Sequence, residues 1–282
     1  VVSLYVRGIA GKKYLYKIFS IIGIGFSTIL SLFYFLKYKP KIVVGFGSYV
    51  QVPAILSAKI LGIPIILHEA NAVLGKSNKL FWSLAKIRTT AFKKIVGDYK
   101  DYIFIGMPVR DEIKKLFNKN YYAPNANEEI NILITGGSLG SISLSYNLSI
   151  TLCKLPQRLR SRLKVFHQVR YEDITKVKEI YKKNKINYRV ESFITDIESI
   201  LGKAHLVISR AGASTVAENS ISSRPTIYVP LPNSIDSHQL ANASLAVSVG
   251  AAWIKNDEDI TSKDFVKLIT NILSNNKELI KI

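Results

Sequence analysis

Cysteine is all but absent from this 282-residue sequence, which holds a single one, Cys153. One thiol excludes an internal disulfide framework and a multi-cysteine metal centre, and it reads as a small core residue rather than a nucleophile. Histidine is scarce as well. His68, His167, His205 and His238 show no metal-ligand spacing of the HExxH kind, so no metal and no other cofactor is expected. The glycine-rich stretch at 136–141 is not followed by Gly-Lys-Ser/Thr, which excludes a P-loop. Internal repeats and low-complexity tracts are missing. The chain opens on Val1 and its one methionine is Met107, from which we expect an N-terminus that begins inside a longer protein.

Acidic side chains are in short supply too, 20 against 39 Lys and Arg, for a net charge of +19. The deficit is steepest early: residues 1–109 carry 15 basic and 3 acidic residues, a net of +12, and residues 110–282 carry 24 and 17, a net of +7. Such a balance suits nucleic acid and an anionic membrane surface alike. The adjoining apolar stretch separates them. Residues 18–36 run 19 positions without a charge, between Lys17 and Lys37. That length allows a spanning helix. The small and hydroxyl residues Ser20, Gly23, Gly25, Ser27, Thr28 and Ser31 inside it, and an apolar strand close behind, favour a helix shared between the core and a membrane surface. Just before and within it, Tyr14, Leu15, Lys17, Ile18 and Phe19 mix cations with aromatic and aliphatic groups. This is interfacial chemistry, although the same mixture suits a solvated helix edge.

The length exceeds one comfortable core, so we expect two domains, 1–109 and 110–282. Both read as α/β. Apolar runs at 42–44, 63–67, 132–135, 164–168, 187–190, 206–208 and 226–230 predict strands, and 52–61 and 173–185 predict helices. Polar clusters stand at strand C-termini, the edge where open α/β sheets bind ligands: His68-Glu69-Ala70-Asn71 in the first half, and the 136–141 turn with Ser138 in the second.

The informative unit is 206–242. A buried strand meets Ala211-Gly212-Ala213-Ser214-Thr215, which opens a helix with Ser214 or Thr215 expected as its cap. The N–H groups of such a terminus, with the positive end of the helix dipole, suit a phosphate or a sugar hydroxyl. Glu218 follows one turn inside, where a carboxylate can accept hydrogen bonds from a vicinal diol. A second strand then ends in a polar loop carrying Asp236, His238 and Gln239.

Taken together, GFGSYV (45–50), LHEANAVLGKSNK (67–79), GMPVR (106–110), ITGGSLGS (134–141), SRAGASTVAE (209–218) and DSHQLANA (236–243) resemble the MurG family of peptidoglycan glycosyltransferases, in the family's order. The resemblance implies a GT-B fold, two Rossmann-like domains facing a cleft, with the first domain incomplete here. It implies inverting transfer of N-acetylglucosamine from UDP-GlcNAc to the C4 hydroxyl of the muramyl sugar of lipid I. The partners implied are UDP-GlcNAc, lipid I and an anionic membrane surface, with no nucleic acid, and the place implied is peripheral, on the cytoplasmic face of the bacterial inner membrane. By the same resemblance Glu218 would bind ribose and Ser138 the diphosphate, Ala213, Ser214 and Thr215 would line the nucleotide, and Ile194 would cover the uracil. Asn71 and Gln239 would hold GlcNAc hydroxyls, with His238 beside Gln239, and Arg110 would assist the nucleotide site. His68 and Glu69 are the acid/base candidates within the sequence, because the family's base histidine falls in a loop upstream of residue 1. Gly47-Ser48 stands where the family usually has a double glycine. Two other readings stay open at this point, a different GT-B transferase with a lipid acceptor and a non-catalytic membrane-docking remnant.

Overall fold

Every strand pair among the described residues is parallel. Parallel neighbours cannot be joined by a tight turn, so each connection must cross the sheet, usually as a helix, and the strands end up covered and apolar. The computed structural model describes residues 14–117, 119–137, 141–232, 234 and 237–280, with side chains from Phe19 onward. The chain divides into two compact units, Val1–Met107 and Pro108–Ile282.

In the first unit, strands β1 (Val43–Gly45), β2 (Ile65–Glu69), β3 (Ile87–Thr90) and β4 (Ile103–Phe104) lie side by side in chain order. Helix α1 (Tyr14–Tyr38) precedes them, α2 (Val52–Ile60) links β1 to β2, and α3 (Lys76–Phe81) links β2 to β3. Pro53 sits in the first turn of α2, where its missing N–H costs nothing. Ile55, Leu67, Leu74, Phe81 and Trp82 form the core. Gly45 is required by close approach, since a Cβ there would lie 2.8 Å from the Leu67 side chain.

Helix α1 inverts the usual pattern. Its buried stripe is Ser20, Ser27 and Ser31, at helical spacing. The small seam lets α2 approach closely, and the Ser57 hydroxyl hydrogen-bonds to Thr28 O (3.0 Å) across the contact and to Pro53 O (2.8 Å). Ile24 and Phe35 pack against the core, but most of the helix's large apolar residues point out: Phe19, Ile22, Phe26, Ile29 and Phe33 are 61–68% exposed. Residues Phe19–Tyr38 are long and apolar enough to cross a membrane, with a mean hydropathy of 2.0. Of the interfacial residues expected from sequence, Phe19 is described. Tyr14, Leu15, Lys17 and Ile18 belong to the helix, but their side chains lie outside the described residues.

In the second unit, α4 (Asp111–Lys114) precedes a six-stranded sheet in the order β10-β9-β8-β5-β6-β7. The strands are β5 (Ile130–Thr135), β6 (Leu163–Gln168), β7 (Asn187–Glu191), β8 (Leu206–Ser209), β9 (Thr226–Tyr228) and β10 (Ala252–Ile254). The helices between and after them are α5 (Leu148–Cys153), α6 (Gln157–Arg160), α7 (Ile174–Lys183), α8 (Ile197–Lys203), α9 (Ala213–Ile221), α10 (His238–Ser248), α11 (Lys263–Ser274) and α12 (Asn276–Ile280). The order reverses between β5 and β8, the switch point at which doubly wound sheets leave a crevice. Alternation along the central strands fills both faces. Ile130, Ile132, Ile134, Leu206 and Ile208 face one core, and Leu133 and Val207 face the other with Ile113, Ile200 and Leu201. Cys153 packs half-buried against the first of these, and burial pushes its thiol pKa up to about 11.

Three strands escaped the sequence reading. β3, Ile-Arg-Thr-Thr, is no apolar run, β4, Ile-Phe, is two residues long, and β10, Ala-Trp-Ile, is three. The expected cap of α9 is also corrected. The helix starts at Ala213 behind Gly212, with no side-chain cap bond, so Ser214 and Thr215 are first-turn residues. A glycine at that position leaves the mouth of the helix unobstructed by a side chain of its own.

Candidate functional site

The switch point of the second unit holds a cavity of ≈ 230 Å³. Leu133, Thr135 and Gly137 enter from β5 and its turn, Ile194 and Phe193 from the segment after β7, and Thr215 and Glu218 from the first turns of α9. Arg110 closes one side. Its Nε and Nη2 donate to Glu218 Oε1 at 3.2 and 3.1 Å. The pair is partly open to solvent, the Arg110 side chain 53% and Glu218 22% exposed. Such a contact is worth about 0–1 kcal/mol, so a ligand hydroxyl can compete for the carboxylate at little cost. Ile194 is buried while its neighbour Phe193 is exposed, giving the cavity an apolar wall and an aromatic rim suited to a flat ring.

Of the residues read from sequence, this cavity gathers Arg110, Ile194, Thr215 and Glu218. Ala213 and Ser214 occupy the same first turn of α9. Ser138 lies outside the described residues. His238 and Gln239 open α10 and are not among the lining residues of this cavity. The Gln239 Oε1 accepts the Leu231 N–H at 2.9 Å, which ties the loop after β9 to α10.

In the first unit, the end of β2 carries His68, Glu69 and Asn71 on a dense polar network. Glu69 is buried, and its Oε1 accepts from the Asn71 N–H (2.9 Å) and Nδ2 (3.2 Å). Its Oε2 accepts from the Gly75 N–H (2.9 Å) and Asn78 Nδ2 (2.8 Å). Asn78 Oδ1 in turn accepts from Gln51 Nε2 (2.8 Å), and Gln51 Oε1 accepts the Gly47 N–H (2.8 Å). The carboxylate therefore organises its own loop and, through two amides, the turn after β1. Gln51 and Asn78 were not singled out from sequence, although both lie in or beside quoted motifs.

His68 is held differently. The Thr89 hydroxyl lies 3.0 Å from His68 Nδ1 and 3.2 Å from Leu67 O, so when its one proton goes to Leu67 O it accepts from Nδ1–H. In that arrangement Nε2 carries the lone pair; the atom is buried and has no partner among the described residues. Burial lowers the imidazole pKa from its ordinary value, against the opposing pull of Glu69. A neutral ring with an unpartnered Nε2 is the form that accepts a proton.

The comparisons with known proteins follow the same two units. The glycosyltransferase family 28 N-terminal domain matches residues 4–90 and the family 28 C-terminal domain residues 131–281. A relative from Wolbachia pipientis of Culex pipiens, a UDP-N-acetylglucosamine--N-acetylmuramyl-(pentapeptide) pyrophosphoryl-undecaprenol N-acetylglucosamine transferase, is 37% identical over 255 residues, 90% of this chain and 73% of its own. A protein of the same name from Paramagnetospirillum magneticum is 34% identical over 97% of this chain and 75% of its own. Among solved structures, MurG of Acinetobacter baumannii is similar with a TM-score of 0.76 at 30% identity, covering 97% of this chain and 76% of that one. The kitacinnamycin glycotransferase shares the fold, at a TM-score of 0.66 and 14% identity over 99% of this chain and 80% of that one. With both domains of one family matched in order and a third of positions shared with relatives over most of their length, this GT-B chain belongs to glycosyltransferase family 28 and, within it, to the MurG family.

Proposed function

We infer that the chain transfers N-acetylglucosamine from UDP-GlcNAc to the C4 hydroxyl of the muramyl sugar of lipid I, with inversion at the anomeric carbon. The observation that carries this reading is the switch-point cavity, where an open helix N-terminus, a carboxylate one turn inside and an apolar wall lie together. The uracil ring rests against Ile194, the ribose diol donates to Glu218 in place of Arg110, and the diphosphate faces the first turn of α9 at Ala213, Ser214 and Thr215. As the glycosidic bond to UDP breaks, charge grows on the leaving diphosphate, and the helix dipole with its N–H groups stabilises it. Asn71, His238 and Gln239 hold the sugar hydroxyls. His68, neutral and with Nε2 unpartnered, is the proton acceptor we assign to the attacking hydroxyl, while Glu69 serves to hold the Asn71 loop.

The chain associates with membranes, and we assign it a peripheral place on the cytoplasmic face of the inner membrane. The outward Phe19, Ile22, Phe26, Ile29 and Phe33 support this, since burying one such side chain in an apolar phase is worth roughly 1.5–3 kcal/mol. Lys37 in the last turn of the helix and Lys39 and Lys41 beyond it favour anionic head groups.

Calorimetric titration with UDP-GlcNAc, UDP-glucose and UDP, followed by release of UDP in the presence of lipid I, tests the reading. Selective UDP-GlcNAc binding with acceptor-dependent turnover is the expected result. Failure to bind any of the three overturns it.

A further inference from the structure

Arg210 follows β8 in the Ser209-Arg210-Ala211-Gly212 turn and is buried. A guanidinium out of water is costly unless its charge and its fork are both matched. Here the charge is met by Asp257 Oδ1, 2.5 Å from Nη1. Nη1 also donates to Val229 O (3.0 Å) and Pro230 O (3.2 Å). Nη2 donates to the hydroxyls of Ser141 and Ser143, the latter at 3.0 Å. The Ser143 hydroxyl passes its own proton to Asp257 (2.6 Å). One side chain thus ties together three segments distant in sequence: the residues just after the glycine-rich 136–140 stretch, the chain leaving β9 toward Gln239, and the segment after β10. Its own backbone leads directly into α9. The first two of these, with α9, are the segments from which a donor's diphosphate and sugar would be held, whereas Glu218, Ile194 and Arg110 meet the nucleoside.

Resting on the donor-site reading above, we propose that Arg210 is the positioning residue of the diphosphate side of the site, seated by Asp257 as its counter-ion. It touches no substrate. It sets the start of the helix after the glycine-rich turn against the loop after β9, so both sides of the diphosphate are held in one register. Ser141 and Ser143 are the hydroxyls through which it acts.

The test compares affinity for UDP with affinity for uridine, by competition titration of the whole chain, in Arg210→Lys and Asp257→Asn. Lysine keeps the charge without the fork, and asparagine keeps the shape without the charge. The gain from adding the diphosphate, the ratio of UDP to uridine affinity, should fall about tenfold in Arg210→Lys and less in Asp257→Asn, with uridine affinity unchanged. In turnover, kcat should fall and KM for UDP-GlcNAc should rise with it. An unchanged ratio in both variants overturns the proposal. Loss of uridine and UDP binding together in both variants reduces Arg210 to a general structural role and overturns it too. Absence of UDP binding by the unsubstituted chain is a different failure, that of the donor-site reading itself.

Discussion

Ser48 sits at φ 65°, ψ 159°, a conformation that is essentially reserved for glycine and costs a side chain of order 1–3 kcal/mol. The residue is exposed, and its hydroxyl makes no cap bond to the short helical turn at Tyr49–Gln51 that it precedes. Replacing it by glycine removes the strain and loses no contact. Against this stands the added freedom of glycine in the unfolded chain, about 0.5–1 kcal/mol. The balance predicts that Ser48→Gly stabilises the first unit by about 1 kcal/mol. Trp82 is buried in that unit's core and Trp253 lies in the other unit, so urea unfolding followed by fluorescence in a Trp253→Phe background reports on the first unit alone. With a slope of roughly 1–2 kcal/mol per molar urea, the midpoint should rise by about 0.5–1 M. Gly47→Ala, at φ 87°, should move it the other way. A midpoint that stays put or falls in Ser48→Gly refutes the assignment of strain to this turn. The position is where the MurG family usually has the second of two glycines, so the same variant restores the family's turn.

Glu218→Ala should weaken UDP binding by roughly 1–3 kcal/mol through loss of charge-assisted hydrogen bonds, while unfolding midpoints hold; unchanged affinity in calorimetry removes Glu218 from the site. Glu69→Gln replaces one acceptor oxygen, facing two N–H donors, by an amide group, and should cost the first unit about 2–3 kcal/mol without altering UDP affinity in the second. His167 is fully buried between the Tyr181 hydroxyl and Leu144 O, and burial pushes its pKa down to about 4. The neutral ring is the folded form, so its contribution is complete above pH 6.5 and is lost as pH falls through about 4, roughly 3 kcal/mol in all. The pH 7 to pH 4 loss of stability should be smaller by that amount in His167→Gln, and equal losses in the two proteins refute it. Phe19→Ser with Phe26→Ser should cut retention on anionic vesicles at high salt, where only apolar insertion remains; retention equal to that of the unsubstituted chain refutes lipid contact by this face.

Much of the second unit was legible because its strands are buried on both faces and so read as continuous apolar runs. Leu206-Val207-Ile208 and Ile132-Leu133-Ile134 each send alternate residues to opposite cores. The turn and helix after β8 were legible from Gly212 and the short residues behind it, although the glycine, and not a hydroxyl residue, proved to be the cap. What could not be read is whatever depends on residues far apart in the chain. Arg210 and Asp257 are 47 positions apart, and nothing local to either marks the pair. Arg88 and Thr89 hide β3, because their side chains find partners in Trp82 O and Leu67 O that no window of sequence contains. The apolar run at 18–36 was visible, but which of its faces meets the protein was not. Ser20, Ser27 and Ser31, with Ile24 and Phe35, form the inward side, and Phe19, Phe26 and Phe33 face out.

The line from Glu69 to Gly47 has a direction. A carboxylate only accepts, so Asn78 must turn its NH₂ toward it and its carbonyl away; Gln51 must then present its NH₂ to Asn78 and its carbonyl to Gly47. Neither amide is free to flip by itself, because each flip would set donor against donor at one end and acceptor against acceptor at the other. A single negative charge at the end of one strand thus writes the polarity of a sentence read at its neighbour, and the backbone N–H of that neighbouring strand's turn is its last word.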